Sequence, residues 1–471
     1  MNLPNIRKIQ PIFLWSLPAI VVFLVALIPT LKYGYPLSLD IYYHIHMAHL
    51  YMTQGFTYWD PLTYAPYGRP IYYPPLFHYL LAVLGFLSNI NLLTIARGLQ
   101  PIFGFLIFLS FTYVTYKLYD IYVAFFAGFL AMSTSLINQF ILPIAENMGL
   151  IIFPFSIYFY YLSVETNNYR YAAVSGVLAG IILLDHTLSM LNLIIIITIF
   201  SVILLISRRK INLNHFWIFL GFSLLVASIW WLPLLLKYGY VFRSPSTVAV
   251  PLWKYIPIFG VISLILTPIG GFLILKRRNT QDILILAWLL SLLALANVYL
   301  LGISVLSERI LTFAVFPVAI IAGLGLNYVR IHFNKKLFYG LLLITMAGAI
   351  LSATFYMSET KPLVSSSEVD IGNWFKVHGD KQGVVVSSSY LLDPTIIAIS
   401  GQPVATGGYD NGRINELNIG SYINGNFNKS DIIRDKVEYI VLNNQIKTPP
   451  YFTVVYQNSK YKICMVDNGI L

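Results

Sequence analysis

One stretch of the chain, residues 38–78, concentrates many of the side chains that could do chemistry. It reads SLDIYYHIHMAHLYMTQGFTYWDPLTYAPYGRPIYYPPLFH and holds two Asp, four of the eight His, eight Tyr and five Pro. Carboxylates and imidazoles are the groups that proteins use for proton transfer and for binding metal ions. Residues 38–78 are therefore the first candidate for a functional site.

Asp40, Tyr43, His44 and Met47 recur at the spacing of one helical face, which predicts a helix that begins near Asp40. Ser38 is placed to cap that helix. A carboxylate one turn before an imidazole could act as a general base, orient a base or bind a divalent cation.

Two other interpretations compete at this helix. His44 and His46 could belong to a zinc site, although the i, i+4 pairing and the closed ligand cage that zinc prefers are missing. Alternatively, Asp40 only caps an interfacial helix whose aromatic side chains form a belt at a membrane boundary. The residues of such a belt are Tyr42, Tyr43, His46 and His49. Asp60, which precedes a proline, is assigned to ordering the loop rather than to reaction.

The composition is that of an integral membrane protein. Of the 471 residues, 58% are hydrophobic and only 10% are charged, with a mean hydropathy of +0.72. Apolar runs long enough to cross a hydrocarbon core of about 30 Å recur up to residue 356. They cover residues 11–31, 98–117, 121–139, 147–164, 171–187, 188–207, 215–236, 253–275, 282–301 and 309–329, with an eleventh at 337–356. The first run is too long for a signal-peptide core and is predicted to be a retained span.

A change in charge near residue 356 divides the chain into two predicted domains. Residues 1–356 carry 20 Lys and Arg against eight acids, whereas residues 357–471 carry ten bases and 11 acids. The net charge of +11 therefore comes from bases that flank membrane spans, and it does not indicate nucleic-acid binding. The single Cys464 excludes an internal disulfide and a cysteine metal cluster.

The distribution of bases sets the predicted orientation. If residues 74–90 do not cross the membrane, 13 bases of the first domain lie inside and seven outside, as the positive-inside rule favours. The N-terminus is then cytoplasmic, the C-terminal domain lies outside the cell membrane, and residues 74–90 lie along the outer interface or form a re-entrant segment. Ionisable groups at the outer ends of spans are a default sign of function. The acids placed there or in outer loops are Asp40, Asp60, Glu146, Asp185 and Glu308.

The predicted fold class is an all-α polytopic membrane domain followed by a small α/β extracytoplasmic domain. The membrane domain has about 11 transmembrane helices and a large first external loop, residues 32–97. In the second domain the pattern predicts a helix near 366–378, the strand 384–387, a helix over 390–400, the strand 438–443 and a hairpin over 452–466. GGYDNGR (407–413) is a turn-rich loop that fails the Gly-rich phosphate-binding fingerprints.

The segment LDIYYHIHMAHLYMTQGFTYWDPLTYAPYGRPIYYPPLFHYL resembles the first external loop of the type-C, lipid-donor glycosyltransferases. It is most similar to the archaeal oligosaccharyltransferase catalytic subunits, which carry an Asp-x-x-Tyr-His stretch followed by Trp-Asp-Pro and Tyr-Pro-Pro-Leu. The resemblance implies that Asp40 is catalytic and takes part in metal binding.

Weaker similarities follow in the same order along the chain. Residues 141–162 resemble the second external loop, where Glu146 is the candidate acid. The stretch around His186 resembles a family segment with a histidine at an outer helix end. Residues 307–326 resemble the Arg-led span near the active cavity, and Arg309 is the matching arginine.

The chain departs from the oligosaccharyltransferases at the motif that reads the acceptor. Those enzymes use Trp-Trp-Asp-Tyr-Gly for the Ser/Thr of the sequon, whereas this chain has SSSYLLDP (387–394) at the corresponding place. We therefore predict a membrane glycosyltransferase that moves a sugar from a polyprenyl phosphate or pyrophosphate to a protein, lipid or glycan acceptor on the outer face. Protein N-glycosylation of the oligosaccharyltransferase type and non-enzymatic transport of a lipid-linked glycan are the alternatives.

Asp40 and Glu146 are the predicted catalytic residues, and they are the predicted ligands of Mg²⁺ or Mn²⁺ if a cation is used. The candidates for substrate binding are His44, Arg97, His186, Arg243, Glu308 and Arg309, of which Arg309 would neutralise the leaving phosphate. Structural alternatives stay open for several of them. Glu146 could interact with a helix dipole, His186 could be a buried histidine, Glu308 and Arg309 could form a local ion pair, and Arg97 and Arg243 could anchor the interface.

Overall fold

The computed structural model describes residues 6–207, 212–239, 247–407 and 417–467. Arg243 and all but the first residue of the loop 407–413 lie outside this part of the chain. The helices are α1 (Ile6–Lys32), α2 (Asp40–Gln54), α3 (Leu76–Ser88), α4 (Leu92–Leu118), α5 (Ile121–Met132), α6 (Ala145–Glu165), α7 (Tyr169–Leu183), α8 (Thr187–Ile206), α9 (Asn214–Tyr238), α10 (Tyr255–Phe259), α11 (Val261–Arg277), α12 (Thr280–Ala296), α13 (Ser307–His332), α14 (Lys335–Glu359), α15 (Ser366–His378), α16 (Leu392–Ser400), α17 (Ile419–Asn424) and α18 (Lys429–Asp435). The strands are β1 (Trp59–Asp60), β2 (Arg69–Pro70), β3 (Val384–Ser387), β4 (Val437–Asn443), β5 (Phe452–Gln457) and β6 (Tyr461–Val466).

Seven of the described helices are long and apolar enough to cross a membrane, and α10 with α11 adds an eighth if the bent pair is one span. Each of these coincides with a predicted run. The other three runs correspond to the apolar helices α5, α7 and α12, which have 12, 15 and 17 residues. The predicted fold class is therefore confirmed, although these three helices are shorter than the runs that predicted them.

Two of the predicted spans differ from the observed helices for local reasons. The run 121–139 stops being helical after Met132, where Ser133 Oγ donates back to the Leu130 carbonyl at 2.7 Å and competes with helix continuation. The run 253–275 is not straight, because α10 and α11 meet at an angle of 91°. Gly260 at the bend has φ +80°, a conformation that costs glycine little.

The described residues of 1–32, 98–231 and 244–360 form one compact unit, the helical unit. Its central helix is α13, which is buried over its whole membrane-length window and packs against α5, α11 and α12. Glycines allow the backbones to touch: a Cβ on Gly270 would overlap the Ile321 carbonyl oxygen, and one on Gly325 would meet the Leu266 carbonyl oxygen. Small residues at such crossings are typical of helices that pack within lipid.

The described residues of 33–97, 232–243 and 361–471 form a second compact unit, which is named the external unit after its predicted location. Its sheet has the order β3-β4-β6-β5, in which β3 is parallel to β4 and the other pairs are antiparallel. The helices α15 and α16 cover one face of the sheet, and α17 and α18 cover the other. The predicted strands and hairpin are observed, whereas α17 and α18 were not predicted.

The first external loop packs into the external unit. Helix α2 lies against α3 and α16, and the Ala65 amide donates to the Val404 carbonyl at 3.0 Å. Thr63 forms an isolated parallel bridge with Val404, which in turn bridges to Val385 of β3. The sequence-based division placed this loop with residues 1–356, whereas by compactness it groups with residues 361–471.

Candidate active site

Asp40 is the first residue of α2, as its spacing predicted. Its carboxylate lies in the first turn, where the helix dipole favours a negative charge. Ser38 Oγ accepts a hydrogen bond from the Asp40 amide at 3.1 Å. Asp40 is half-buried and lines a pocket of about 220 Å³, the Asp40 pocket. The pocket is lined by Leu39, Asp40, Tyr43, Tyr64, Tyr390, Pro394, Thr406 and Gly407.

A buried arginine holds two of the tyrosine walls of the Asp40 pocket. The Arg69 guanidinium carbon lies 5.5 Å from the ring centroid of Tyr43 and 5.0 Å from that of Tyr64. Tyr43, Tyr64 and Arg69 are 4%, 6% and 2% exposed, so the two rings are fixed by packing and by cation–π attraction. The third tyrosine, Tyr390, is 75% exposed.

His44 lies one turn after Asp40 but is not among the residues that line the pocket. Its ring is fully buried, with Nδ1 2.8 Å from Nε2 of His78, and it packs edge-on against Tyr73 and Phe77. These are the contacts of a core histidine. A role for His44 in substrate binding stays a prediction.

Asp60 is fully buried and organises the segment that follows it. Its Oδ2 lies 3.0 Å from Nε2 of His46 and 2.5 Å from Oγ1 of Thr63, and its Oδ1 accepts from the Leu62 amide at 3.0 Å. Burial alone would raise the pKa of Asp60, but the attraction of His46 and Arg69 outweighs it, so the pKa lies below its usual range. This geometry fits the predicted loop-ordering role.

A second group of charged side chains lies in the helical unit. Glu146 and Arg309 occupy the first turns of α6 and α13, and Arg309 Nη1 donates to Glu146 Oε2 at 3.2 Å. The Glu146 side chain is 8% exposed, whereas that of Arg309 is 37% exposed. The neighbouring Glu308 is exposed. A guanidinium with this exposure can still receive an anion such as a phosphate.

Asp185 and His186 lie between α7 and α8, beside α6. His186 caps α8, because its Nδ1 accepts from the Ser189 amide at 3.3 Å and lies 2.9 Å from Ser189 Oγ. Asp185 is fully buried, and neither carboxylate oxygen has a hydrogen-bond partner among the described residues. A Cβ on Gly149, one turn after Glu146, would lie 3.2 Å from Asp185 Oδ2.

Asp185 also lies at this site, although it was not among the predicted site residues. The sequence places it among the outer acids, but only the fold shows that it is fully buried and next to the helix that carries Glu146. No pattern in the sequence distinguishes it from a surface acid.

Arg97 donates hydrogen bonds to the backbone of the connection between α1 and α2. Its Nη1 donates to the carbonyl oxygens of Tyr33 at 3.4 Å and Gly34 at 3.3 Å. This geometry resembles the structural alternative for Arg97 more than a phosphate site. The other arginine of that prediction, Arg243, is not among the described residues.

No group of three or more His, Cys, Asp or Glu side chains gathers at one point in the part of the chain that the structure describes. Of the two predicted ligands, Asp40 belongs to the external unit, and Glu146, in the helical unit, is paired with Arg309. The Mg²⁺ or Mn²⁺ requirement therefore stays a prediction.

Comparison with solved structures identifies the fold. The oligosaccharyltransferase from Archaeoglobus fulgidus, solved with zinc and sulfate, matches 91% of this chain and 68% of its own with a TM-score of 0.70 and 13% identity. ArnT from Cupriavidus metallidurans, bound to undecaprenyl phosphate, matches 97% of this chain and 98% of its own with a TM-score of 0.65 and 12% identity. No family model and no curated protein sequence matches the chain.

The chain has the type-C glycosyltransferase fold, and the resemblance noted in its first external loop is confirmed at the level of the fold. Among the similar structures is also AglB, the A. fulgidus oligosaccharyltransferase, in complex with an inhibitory peptide and a dolichol-phosphate. It covers 93% of this chain and 70% of its own, with a TM-score of 0.66 and 13% identity.

Proposed function

We propose that this protein is a membrane glycosyltransferase that transfers a sugar from a polyprenyl phosphate or pyrophosphate to an acceptor on the outer face of the membrane. The observation that carries the proposal is the half-buried carboxylate of Asp40, at a helix start and on the wall of a pocket of one-sugar size. Similar structures that hold dolichol-phosphate and undecaprenyl phosphate support a polyprenyl-linked donor.

Asp40 acts as the general base in this proposal. The acceptor nucleophile attacks the anomeric carbon of the donor sugar and gives its proton to the Asp40 carboxylate. The new glycosidic bond forms as the bond between the anomeric carbon and the phosphate oxygen breaks, and the electron pair of that bond leaves with the phosphate. Attack from the side opposite the phosphate inverts the anomeric centre, as the resemblance to the type-C enzymes implies.

Arg309 stabilises the phosphate that leaves. The Arg309 side chain is 37% exposed while it pairs with Glu146, so phosphate oxygens can join or replace the carboxylate. Glu146 then serves to hold Arg309 in place between turnovers. This assigns Glu146 a positioning role, and no step depends on a metal ion.

The test is consumption of polyprenyl-linked sugar donors by the purified protein in liposomes. Asp40→Asn should reduce turnover by at least about 100-fold, the factor typical of a positioned base. Asp370→Asn, an exposed aspartate on α15, is the matched control and should be active. Absence of donor consumption in the wild type, or equal turnover by Asp40→Asn, would contradict the proposal.

Two further assays distinguish the proposed function from the two alternative functions. A sequon peptide tests the oligosaccharyltransferase type, because glycosylation of its asparagine would place the protein there. Translocation of a labelled donor across liposomes tests transport, because transport that survives Asp40→Asn without any transfer would favour a non-enzymatic carrier.

A further inference from the structure

The walls of the Asp40 pocket are aromatic and largely pre-formed. Tyr43 and Tyr64 are almost fully buried, and each packs against Arg69, so neither ring has to be ordered when a ligand arrives. Tyr390 faces the pocket from the loop between β3 and α16 and keeps 75% of its surface exposed. A large aromatic group left this exposed at a pocket is available to cover a ligand.

The position of Arg69 excludes one class of ligand for such an aromatic pocket. Tyrosine rings around a carboxylate can form a cage for an ammonium group, because the ring faces attract cations. Here the guanidinium of Arg69 already lies against Tyr43 and Tyr64 at 5.5 and 5.0 Å. Its positive charge repels a second cation on the same rings, so a neutral ligand is favoured over a cationic one.

Charge and size exclude two more classes. No Lys or Arg is among the described residues that line the pocket, and the Asp40 carboxylate repels a phosphate. The pocket volume of about 220 Å³ is below the range of about 300–1,000 Å³ that holds drug-sized ligands. A neutral group of the size of a single sugar ring fits these limits better than an extended peptide.

The polar atoms of the pocket suit hydroxyl groups. The Asp40 carboxylate accepts hydrogen bonds. The Thr406 hydroxyl, which donates to Asp393 Oδ2, can accept one, and the Tyr390 hydroxyl can both donate and accept. Apolar C–H faces of a sugar ring pack on tyrosine, while its hydroxyl groups require such partners. Carboxylate, hydroxyl and aromatic surface together are complementary to a neutral saccharide.

We propose that the Asp40 pocket binds the acceptor, and that the acceptor is a neutral saccharide whose hydroxyl group is glycosylated. Tyr43, Tyr64 and Tyr390 hold the ring, and Asp40 receives the hydroxyl proton. This inference rests on the proposed function for the transfer step. The acceptor oxygen forms the bond to the anomeric carbon of the donor, and the bond between that carbon and the phosphate oxygen breaks with its electron pair on the phosphate.

Binding is tested first, with the full chain in lipid nanodiscs and no donor present. The probes are methyl hexosides, which carry one sugar ring and neither lipid nor phosphate, observed by saturation-transfer NMR. The wild type should bind at least one of them, Tyr390→Phe should retain binding, and Tyr390→Ala should weaken it at least about tenfold. Tyr339→Ala, which removes a 60% exposed tyrosine from α14, is the matched control and should bind like the wild type.

Competition tests the class of ligand. Tetramethylammonium and inorganic phosphate should leave hexoside binding unchanged. Displacement by either of them, or no binding of any methyl hexoside, overturns the assignment of the pocket to a neutral sugar. Equal binding by Tyr390→Ala and the wild type overturns the role of Tyr390.

Transfer distinguishes acceptor from donor sugar. With a polyprenyl-linked donor, Tyr390→Ala should lower transfer to the methyl hexoside at least about tenfold more than it lowers the slow cleavage of the donor by water. An equal loss of both reactions would place the donor sugar in the pocket and overturn the acceptor assignment. If hexosides bind but the wild type consumes no donor, the proposed function and the acceptor role fail, and the sugar pocket still stands.

Discussion

Beside the Asp40 pocket, the cation of Arg69 packs against two tyrosine rings, whereas in the Glu146–Arg309 pair the arginine side chain is 37% exposed. In the external unit, buried charges are used by protein groups: Arg69 lies against two rings, and Asp60 binds His46 and Thr63. In the helical unit, Arg309 is accessible and Asp185 has no hydrogen-bond partner among the described residues. We therefore expect changes in the Asp40 pocket to act on a neutral ligand and changes at Arg309 to act on a charged one.

The largest effect should come from removing the exposed cation. Arg309→Gln should lower transfer by about 10²–10³-fold, the loss typical when one group that stabilises a developing oxyanion is deleted. Added pyrophosphate should compete with the donor in the wild type and much less in the variant, because the variant lacks the guanidinium. Initial rates against donor concentration, with and without pyrophosphate, measure both effects.

A double variant decides whether the pair is catalytic or only structural. Arg309→Gln takes away the ion-pair partner of the nearly buried Glu146, at an expected cost of about 1–3 kcal/mol in stability. Arg309→Gln combined with Glu146→Gln should recover stability but not activity. Recovery of transfer in the double variant would show that the pair acts only through packing.

The buried carboxylate of the external unit should make that unit sensitive to acid. Because the folded-state pKa of Asp60 is depressed, its contribution to stability is complete above the unfolded value of about 3.9 and is lost as the pH falls below it. The temperature of the unfolding midpoint of the wild type should therefore be lower at pH 3 than at pH 5.

Asp60→Asn should reproduce this loss at neutral pH. Asp60→Asn should lower the free energy of unfolding by about 1–3 kcal/mol at pH 7, because His46 and Thr63 lose a charged partner. The unfolding midpoint of this variant should also depend less on pH than that of the wild type. Thermal unfolding at pH 7, 5 and 3 measures both, beside Asp370→Asn as the exposed control. A wild-type midpoint that is the same at pH 5 and pH 3 would contradict this account of Asp60.

The smallest effect should come from Asp185, and it should have the opposite sign. Folding must either bury the charge of the Asp185 carboxyl group or protonate it, and Asp185→Asn avoids both costs, so stability at neutral pH should rise by about 1 kcal/mol. Asp282→Asn is the matched buried control and should lose stability, because Asp282 accepts from Arg277 and Tyr119 at 3.0 Å each. A loss of stability in Asp185→Asn would show that the carboxylate is paired in solution.

The membrane-length runs could be predicted from the sequence because hydropathy and length are local properties. The bend at Gly260 could not, since the run 253–275 is predominantly apolar on both sides of this glycine, and hydropathy does not depend on whether the glycine adopts φ +80° or a helical conformation. The short helices α17 and α18 were missed for a related reason. Each is six or seven residues long and is fixed by packing on the sheet rather than by its own periodicity.

The site was predictable where residues are close in sequence and not where they are distant. The start of α2 at Asp40 and the loop-ordering role of Asp60 follow from neighbouring residues. The contact of Glu146 with Arg309 joins positions 163 residues apart. His44, which was predicted to bind substrate, instead contacts His78 in the protein interior. No spacing rule reaches across such distances, because they are set by how the elements pack.

The grouping of residues 33–97 with residues 361–471 has a consequence for biosynthesis. The Val404 carbonyl that receives the Ala65 amide is made more than 300 residues after that amide. At a ribosomal rate of about 5–20 residues per second, Val404 is synthesised on the order of tens of seconds after Ala65. During that interval the Ala65 amide and Thr63 lack Val404, so a ribosome that stalls before residue 404 would leave part of the loop accessible to chaperones or proteases.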